Sequence, residues 1–376
     1  MSTGHNSFAQ LEISRRNIVH NLNYFRSKLK PETKLLVLMK ANAYGHGSVC
    51  VAKEVEKLGV DYFAVAHAVE GVTMRQGGIV KTPIIVLTAG VDYFQEMTDN
   101  NLEPAIPTVE ALDLFDKHLE KNGIERYPVH IKLDTGMHRL GFVESEIPAL
   151  LDYLKTHPRI IVKSIYTHLS VADTPGEEEY TLNQIKLYTR MAPQIDAVIA
   201  ERNPSDPKPI HHVLNSAGIE RFTEYQMDMV RLGIGFYGIS HIDQKFVKPI
   251  GTLKCKILQI KHLQPGGGDV GYGRWGKITK PTVTATLPLG YADGLNRHLG
   301  RGKATFLLNG KRVPTIGNIC MDSCMIDITG IDAKVGDVVT IFGEEPSTIE
   351  LAKILDTIPY EIITPVNVRV ERVVVD

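Results

Sequence analysis

Cysteine is scarce in this sequence, with only four among 376 residues. A long chain with so few thiols is typical of a reducing compartment, where disulfides do not hold the fold together. Two of the four, Cys320 and Cys324, lie close in sequence, but metal sites usually pair cysteines at CxxC spacing and add a second pair or histidines. Together with Cys50 and Cys255, we expect them to be free thiols in a cytoplasmic protein without a metal site.

An excess of charge and long apolar runs are also missing. Lys and Arg total 42 against 43 Asp and Glu, which gives a formal net charge of -1. This balance provides no electrostatic footprint for nucleic acid or an anionic membrane surface. No apolar run approaches the roughly 20 residues of a membrane span, and the polar start MSTGHNSFAQ lacks the apolar core of a secretion signal. We therefore expect neither nucleic acid nor a membrane as a partner.

Short apolar runs alternate with helical patterns between residues 35 and 240. Eight runs are predicted as strands, and they start near residues 35, 61, 83, 103, 127, 159, 209 and 229. One intervening helix has Thr108 as its predicted N-cap and Gly123 as its predicted C-cap. Alternating strands and helices predict a parallel sheet, either doubly wound or closed into a (β/α)8 barrel. Eight repeats in about 200 residues favour the barrel.

The hydrophobic period changes to two near residue 248, which indicates strands without intervening helices. Asn309-Gly310 is a two-residue hairpin signal, and a clear helical pattern returns only at residue 348. A glycine triplet at 266, 268 and 271 has dinucleotide-binding spacing, but no helix pattern follows it, so we interpret it as a loop. We predict a barrel domain over residues 1–240 and a mostly β C-terminal domain over residues 241–376.

Polar residues at the carboxyl ends of the predicted barrel strands form the candidate site, because active sites of such barrels lie there. Lys40 ends the first predicted strand. A lone strand-end lysine most often extends into solvent, whereas a desolvated one acts as a Schiff-base nucleophile. The other strand ends carry Lys132, Asp134 and Arg139, then His168, then Asn215 and Ser216, and finally Arg231, Gly233 and Ile234.

The last two of these groups follow the seventh and eighth strands, where barrels commonly bind phosphate. A lysine on the first strand together with a phosphate site there fits pyridoxal 5'-phosphate. Six segments, in order, resemble the alanine racemase family, the barrel-type pyridoxal-phosphate enzymes. They are KANAYGHG, KLDTGMHRLG, THLS, HHVLNS, VRLGIGFYG, and GYG at 271 together with GNICMD at 317.

The resemblance implies an alanine racemase, which would interconvert L-alanine and D-alanine with two bases at Cα. Lys40 would bind the cofactor and serve one face, and Tyr272 would serve the opposite face. A hydrogen-bonded chain would run from Tyr272 through His168 to Arg231, which would face the pyridine nitrogen. Arginine does not readily give up its proton, so that nitrogen would stay unprotonated and side transamination would be disfavoured.

The resemblance also implies the binding residues. The cofactor phosphate would be held by Tyr44, Ser216, Gly233, Ile234 and Tyr360, and the substrate carboxylate by Arg139 and the backbone of Met321. Lys132 matches a lysine that is carboxylated in many relatives and orients the arginine. Tyr272 and Met321 would reach the site from a partner subunit, which implies a homodimer. Residues 8–14 would pair with the β domain.

The sequence departs from the family pattern at three places and leaves several readings open. His138 stands where glycine is frequent, Leu232 where proline is common, and Thr364-Pro365 where cysteine is frequent. A racemase for serine or for many amino acids is the alternative to an alanine racemase. A non-catalytic pyridoxal-phosphate protein would lack the second domain, and a decarboxylase would place a carboxylate at the ring nitrogen instead of Arg231. Wall synthesis and catabolism both remain open as roles.

Overall fold

The protein is described by a computed structural model over residues 8–376. Its strands, in chain order, are β1 (Ala9–Ser14), β2 (Lys34–Leu38), β3 (Tyr62–Val65), β4 (Ile84–Val86), β5 (Leu102–Ile106), β6 (Tyr127–Lys132), β7 (Ile160–Tyr166), β8 (Ile210–His212), β9 (Met229–Leu232), β10 (Gly251–Lys256), β11 (Gln259–Leu263), β12 (Thr282–Leu287), β13 (Thr305–Leu308), β14 (Lys311–Pro314), β15 (Cys324–Asp327), β16 (Val338–Phe342) and β17 (Glu371–Val375).

The helices, in chain order, are α1 (Arg15–Arg26), α2 (Lys40–Tyr44), α3 (Ser48–Glu56), α4 (Ala68–Gln76), α5 (Phe94–Asp99), α6 (Val109–Lys121), α7 (Ile147–Thr156), α8 (Glu178–Arg202), α9 (Ser216–Arg221), α10 (Thr348–Ile354) and α11 (Tyr360–Ile363). The chain folds into two compact units. The first, called the barrel unit, comprises residues 19–41 and 52–247. The second, called the β unit, comprises the described residues up to Ile18, residues 42–51 and residues 248–376.

The barrel unit contains one eight-stranded parallel sheet in the order β8-β7-β6-β5-β4-β3-β2-β9. Its two outer strands meet through backbone hydrogen bonds from Asp228 N–H to His211 O (3.1 Å) and from Arg231 N–H to Leu214 O (3.0 Å), so the sheet closes. All eight predicted strands are present. The predicted (β/α)8 fold class is confirmed.

Helix α6 shows how local sequence sets the elements around this barrel. The Thr108 hydroxyl accepts a hydrogen bond from Ala111 N–H (3.1 Å) and so begins the helix as predicted. At the other end the prediction of Gly123 as the cap is wrong by one residue, because Asn122 occupies the cap. Gly123 follows in the left-handed conformation at φ +67°, which lets the chain leave the helix.

The β unit holds a six-stranded sheet in the order β14-β13-β16-β10-β1-β17 and a three-stranded sheet in the order β11-β12-β15. Strand β1 pairs antiparallel with β10 and parallel with β17, although more than two hundred residues separate it from either. The predicted hairpin joins β13 to β14, with Asn309 at φ +49° and Gly310 at φ +74°, as a type I′ turn requires. The predicted mostly β character of this part is confirmed.

No helix between residues 8 and 376 is long and apolar enough to cross a membrane. Over the same residues, no group of three or more His, Cys, Asp or Glu side chains is placed to hold a metal ion. All four cysteines are free thiols.

Candidate active site

Lys40 begins a left-handed turn just beyond the first barrel strand. Strand β2 ends at Leu38, so the prediction that Lys40 itself ends the strand is wrong by two residues. The next four residues, 41–44, have φ between +50° and +54°, so α2 is left-handed there. Residues other than glycine rarely adopt this conformation, and never cheaply in succession. Such strain persists where the surroundings enforce it and clusters at functional sites.

The environment of Lys40 favours a neutral amine. Burial is the largest cause that lowers the pKa of Lys40, and the positive charge of Arg139 lowers it further. Glu70 acts in the opposite direction, and its carboxylate also accepts a hydrogen bond from Ala41 N–H (2.6 Å). A lysine with a lowered pKa carries more of the unprotonated form, which is the nucleophilic and basic form.

Arg231 is a buried cation in β9 that is held by neutral acceptors. Its Nη atoms donate to the carbonyl oxygens of Thr167 (2.6 Å), His212 (3.0 Å) and Val213 (3.1 Å), and to His212 Nδ1 (2.8 Å). Burial lowers the pKa of Arg231 to about 10, so the side chain stays protonated at neutral pH. Its Nε–H makes no hydrogen bond to any residue in the described range, and it therefore remains available as a donor.

His168 lies next to this guanidinium. Its Nδ1 is 3.4 Å from Arg231 Nη2, and because arginine only donates, Nδ1 is the acceptor. Burial lowers the pKa of His168 well below its ordinary value, and Arg231, Arg139, Lys132 and Lys40 lower it further. His168 is therefore neutral at physiological pH, and its Nε2 carries the proton. Two arginines, two lysines with lowered pKa values and one neutral imidazole therefore lie close enough to affect one another.

Lys132 is the last residue of β6 and is almost completely buried, with 6% exposed. Burial, then Arg139 and Arg231, lower the pKa of Lys132 to about 8, while Asp134 raises it. The Asp134 carboxylate accepts hydrogen bonds from Gly136 N–H (2.9 Å) and His138 N–H (3.0 Å), which holds the following loop in shape.

Arg139 lies on that loop and is exposed. It lines an open cavity of about 360 Å³ together with Thr108, Asp134 and His138. His138, which replaces the glycine common in the family, has φ +52°, a conformation that favours glycine. His138, the first departure from the family pattern, therefore lies at a strained backbone position next to Arg139, the predicted carboxylate-binding residue.

A hydroxyl and two backbone N–H groups converge after the seventh and eighth strands. Ser216 Oγ accepts hydrogen bonds from Gly233 N–H (2.9 Å) and Gly235 N–H (3.2 Å). Asn215 caps α9 by accepting from Gly218 N–H (2.9 Å). Ile234 lies between the two glycines and is 2% exposed. Because the Ser216 oxygen accepts from both glycines, the Ser216 hydroxyl hydrogen is the group here that can donate to an anion.

In the β unit, Tyr44 and Tyr360 lie side by side with ring centroids 5.9 Å apart. Burial, then Tyr360, raise the pKa of Tyr44. The backbone beyond Tyr44 is anchored because Gly45 O accepts a hydrogen bond from Arg372 Nη2 (2.7 Å). The third departure lies nearby: the Thr364 hydroxyl donates to Tyr360 O (2.8 Å) and ties down the end of α11. These contacts fix the backbone next to Tyr44 and at Tyr360, and the two rings are neighbours.

Tyr272 and Met321 are surface residues of the β unit, with 74% and 54% of their area exposed. Tyr272 O accepts a hydrogen bond from Asn318 Nδ2 (2.8 Å), and Asn318 Oδ1 accepts one from Arg301 Nε (2.7 Å). The loop is fixed at its backbone while the phenol projects outward. Such a side chain is accessible to a second molecule.

A group of hydrogen-bonded polar side chains lies inside the barrel and was not predicted from the sequence. His130, Ser164 and His212 are at most 1% exposed and are linked by hydrogen bonds to one another, and His130 Nε2 contacts Glu103 (2.8 Å). The available signal was that each is polar within an otherwise apolar strand, which requires a buried partner. Leu232, the second departure, is fully buried in β9.

The fold and site define a barrel enzyme with a cationic site at the carboxyl ends of its strands. Residues 13–241 match the model described as "Alanine racemase, N-terminal domain", and residues 250–374 match "Alanine racemase, C-terminal domain". The alanine racemase of Clostridium kluyveri is 35% identical over 375 residues, which cover 96% of this chain and 92% of the relative. This chain belongs to the alanine racemase family.

Two solved structures agree with that assignment. Alanine racemase of Clostridium difficile 630 has a TM-score of 0.90 at 34% identity and covers 99% of this chain and 96% of its own. Alanine racemase from Bartonella henselae, with covalently bound pyridoxal phosphate, has a TM-score of 0.84 at 26% identity and covers 98% and 100%.

Proposed function

We propose that this chain interconverts L-alanine and D-alanine with pyridoxal 5'-phosphate as its cofactor. The proposal rests on two side chains that lie together at the carboxyl ends of the barrel strands, called the barrel mouth. Lys40 has a lowered pKa, and Arg231 keeps a donor, Nε–H, without a partner among residues 8–376. The first suits covalent binding of an aldehyde, and the second suits a ring nitrogen that accepts a hydrogen bond.

The residues present fit this cofactor. Lys40 Nζ would be the covalent anchor, and the Ser216 hydroxyl, which is fixed by accepting from Gly233 N–H, would donate to the phosphate beside Gly233 and Ile234. The resemblance assigns Tyr44 and Tyr360 to the phosphate as well. Within the barrel unit, Asn215 caps α9 and His168 lies beside Arg231. When bound, pyridoxal phosphate supplies an electron sink for the charge left at Cα after proton removal.

Two residues of the chain move the proton at Cα. Once the substrate amine has replaced it on the cofactor, the freed Lys40 Nζ would take or return the proton on one face, and the Tyr272 hydroxyl would do so on the other. A single base would return the proton to the side from which it came, so inversion needs both. His168, neutral and hydrogen-bonded to Arg231, continues the polar chain expected behind Tyr272. Arg231 would donate to the ring nitrogen and leave it unprotonated, which would favour return of the proton to Cα.

The substrate carboxylate is held by Arg139 and the backbone of Met321. Arg139 borders the open cavity beside Asp134 and His138. Lys132 is proposed to be carboxylated, because carbamate formation requires a neutral amine and its pKa is lowered to about 8. A carbamate is anionic and would pair with Arg139, whereas an ammonium group repels it.

The active unit is proposed to be a homodimer in which Tyr272 and Met321 of one subunit serve the barrel of the other. The high exposure of both side chains supports this. Free thiols throughout suit a cytoplasmic location, where the product D-alanine is available as a cell-wall precursor.

A serine or broad-specificity racemase on the same scaffold is the second candidate, with the same catalytic pair. His138 lines the cavity beside Arg139, so its side chain contributes to the space that a substrate would meet. The exchange of a methyl for a hydroxymethyl group changes discrimination by only about 1–3 kcal/mol, which a single side chain can supply.

A chiral product assay tests both candidates. Purified protein with added pyridoxal phosphate is given L-alanine, L-serine and other L-amino acids in separate reactions, with Lys40→Ala as the control for contaminating activity. Rapid formation of D-alanine alone supports the proposal, and faster D-serine supports the second candidate. The absence of any D-product from protein that has bound the cofactor would refute both.

A further inference from the structure

A continuous hydrogen-bonded chain crosses the interior of the barrel and ends at Arg231. Arg231 Nη1 contacts His212 Nδ1 (2.8 Å), and His212 Nε2 contacts Ser164 Oγ (2.9 Å). Ser164 Oγ contacts His130 Nδ1 (2.6 Å), and His130 Nε2 contacts Glu103 Oε2 (2.8 Å). This hydrogen-bonded chain links five neighbouring strands, β5 to β9, through side chains alone.

The two ends determine the direction of every hydrogen bond in this chain. Arginine only donates, so His212 Nδ1 is an acceptor and the proton of the neutral ring lies on Nε2. His212 Nε2–H therefore donates to Ser164. At the other end the Glu103 carboxylate only accepts, so His130 Nε2 carries a proton. The Ser164 hydroxyl then donates to His130 Nδ1, and all bonds run from Arg231 toward Glu103.

A positively charged His130 is the alternative, and it fits less well. Both nitrogens of an imidazolium donate, so Ser164 Oγ would accept from His130 and His212 at once. The Ser164 hydroxyl hydrogen would then have no acceptor among residues 8–376, because its two contacts are those two rings. Ser164 is fully buried, and an unmade hydrogen bond there is costly. Burial also lowers the pKa of His212 well below its ordinary value, which agrees with a neutral ring.

The hydrogen-bonded chain also explains how the buried guanidinium of Arg231 is tolerated without a carboxylate beside it. Arg231 is 3% exposed, its hydrogen bonds within residues 8–376 all go to carbonyls and imidazoles, and its guanidinium carbon lies 5.3 Å from the centre of the Tyr166 ring. The Glu103 side chain, 14% exposed, is the negative group at the far end. Aligned hydrogen bonds polarise one another in a low-dielectric interior, so its charge strengthens each donor–acceptor pair in turn. Tyr166 stacks on His212 at 4.9 Å and limits rotation of that ring.

We propose that Glu103, His130 and Ser164 are positioning residues that hold His212 as an acceptor for Arg231 and so aim the free Arg231 Nε–H at the barrel mouth. The effect on catalysis rests on the function proposed above, since Arg231 is there the partner of the ring nitrogen. None of the three residues touches the reacting atoms. Their contribution is the orientation and polarity of one donor.

Neutron diffraction from crystals of the full chain tests the bond directions directly. The expected map shows deuterium on Nε2 and none on Nδ1 of both His130 and His212, with the Ser164 hydroxyl deuterium toward His130. Deuterium on Nδ1 of either ring, including a doubly protonated His130, would overturn the proposal. This result does not depend on catalytic activity, so it remains decisive even if the chain makes no D-alanine.

The ratio of transamination to racemisation tests the effect of the hydrogen-bonded chain on catalysis. Ser164→Ala interrupts the chain, Ser164→Thr restores a hydroxyl, and Thr181→Val is the matched control, because the buried Thr181 hydroxyl has no hydrogen-bond partner within the described residues. The ratio of transamination to racemisation turnovers is insensitive to the amount of folded protein. We expect it to rise on the order of ten-fold in Ser164→Ala, to fall back in Ser164→Thr and to stay unchanged in Thr181→Val. An unchanged ratio in Ser164→Ala would overturn the proposed role, and should that variant not fold, the neutron map decides.

Discussion

Replacement of Lys132 by methionine is expected to stabilise the carbon-dioxide-free protein near neutral pH. The Lys132 side chain is 6% exposed and faces two arginines, so its protonated form is disfavoured and its pKa falls from 10.5 to about 8. At 1.36 kcal/mol for each pKa unit, this shift corresponds to about 3 kcal/mol. Methionine has a similar length and no charge, so Lys132→Met removes this penalty.

The sign follows from proton binding. Between pH 8 and 10.5 the unfolded chain binds more protons at this lysine than the folded protein does, so wild-type stability rises with pH over that window. Below about pH 8 the penalty is fully present. The variant should therefore exceed wild type by about 3 kcal/mol at pH 7, and the difference should vanish near pH 10.5.

Urea unfolding at a series of pH values, in buffers purged of carbon dioxide, measures this difference. Lys57→Met, at a side chain that is 66% exposed, is the matched control and should change stability by no more than about 0.5 kcal/mol at any pH. Added bicarbonate should stabilise wild type and leave Lys132→Met unchanged, because only wild type can form a carbamate that pairs with Arg139. Parallel stability curves for wild type and Lys132→Met would refute the electrostatic reasoning, and a bicarbonate effect on both would refute the carbamate.

Three further predictions concern the proposed reaction. Tyr272→Phe keeps the exposed ring but loses the hydroxyl, so Cα-deuterium exchange measured by NMR should fall far more for one alanine enantiomer than for the other, and equal losses would contradict two bases on opposite faces. Arg231→Glu places a carboxylate where the buried guanidinium donates, so pyridoxamine phosphate should accumulate during turnover, as followed by absorbance, and no accumulation would count against the ring-nitrogen role. Ser216→Ala removes the hydroxyl to which Gly233 N–H and Gly235 N–H donate, so the cofactor should bind on the order of ten-fold more weakly in equilibrium dialysis, and unchanged affinity would place the phosphate elsewhere.

Local patterns in the sequence were sufficient to predict the eight strands of the barrel. All eight strands were predicted because short apolar runs between helical patterns are a local signal, and Thr108 was identified as a cap for the same reason. The errors were also local. Lys40 lies two residues beyond its strand, since no sequence rule predicts four successive left-handed residues, and Asn122 took the cap assigned to Gly123.

The sequence by itself determined the fold class, the family and the set of chemical groups available, because hydrophobic periodicity and ordered motifs are properties of neighbouring residues. Only the tertiary structure decided which groups meet. His130 contacts a serine 34 residues away, and that serine contacts His212, a further 48 residues along the chain. The lowered pKa values of Lys40 and Lys132 likewise arise from burial and from charges brought close by folding. Hydrogen bonds and electrostatic energies depend on distance in space, which local sequence patterns do not contain.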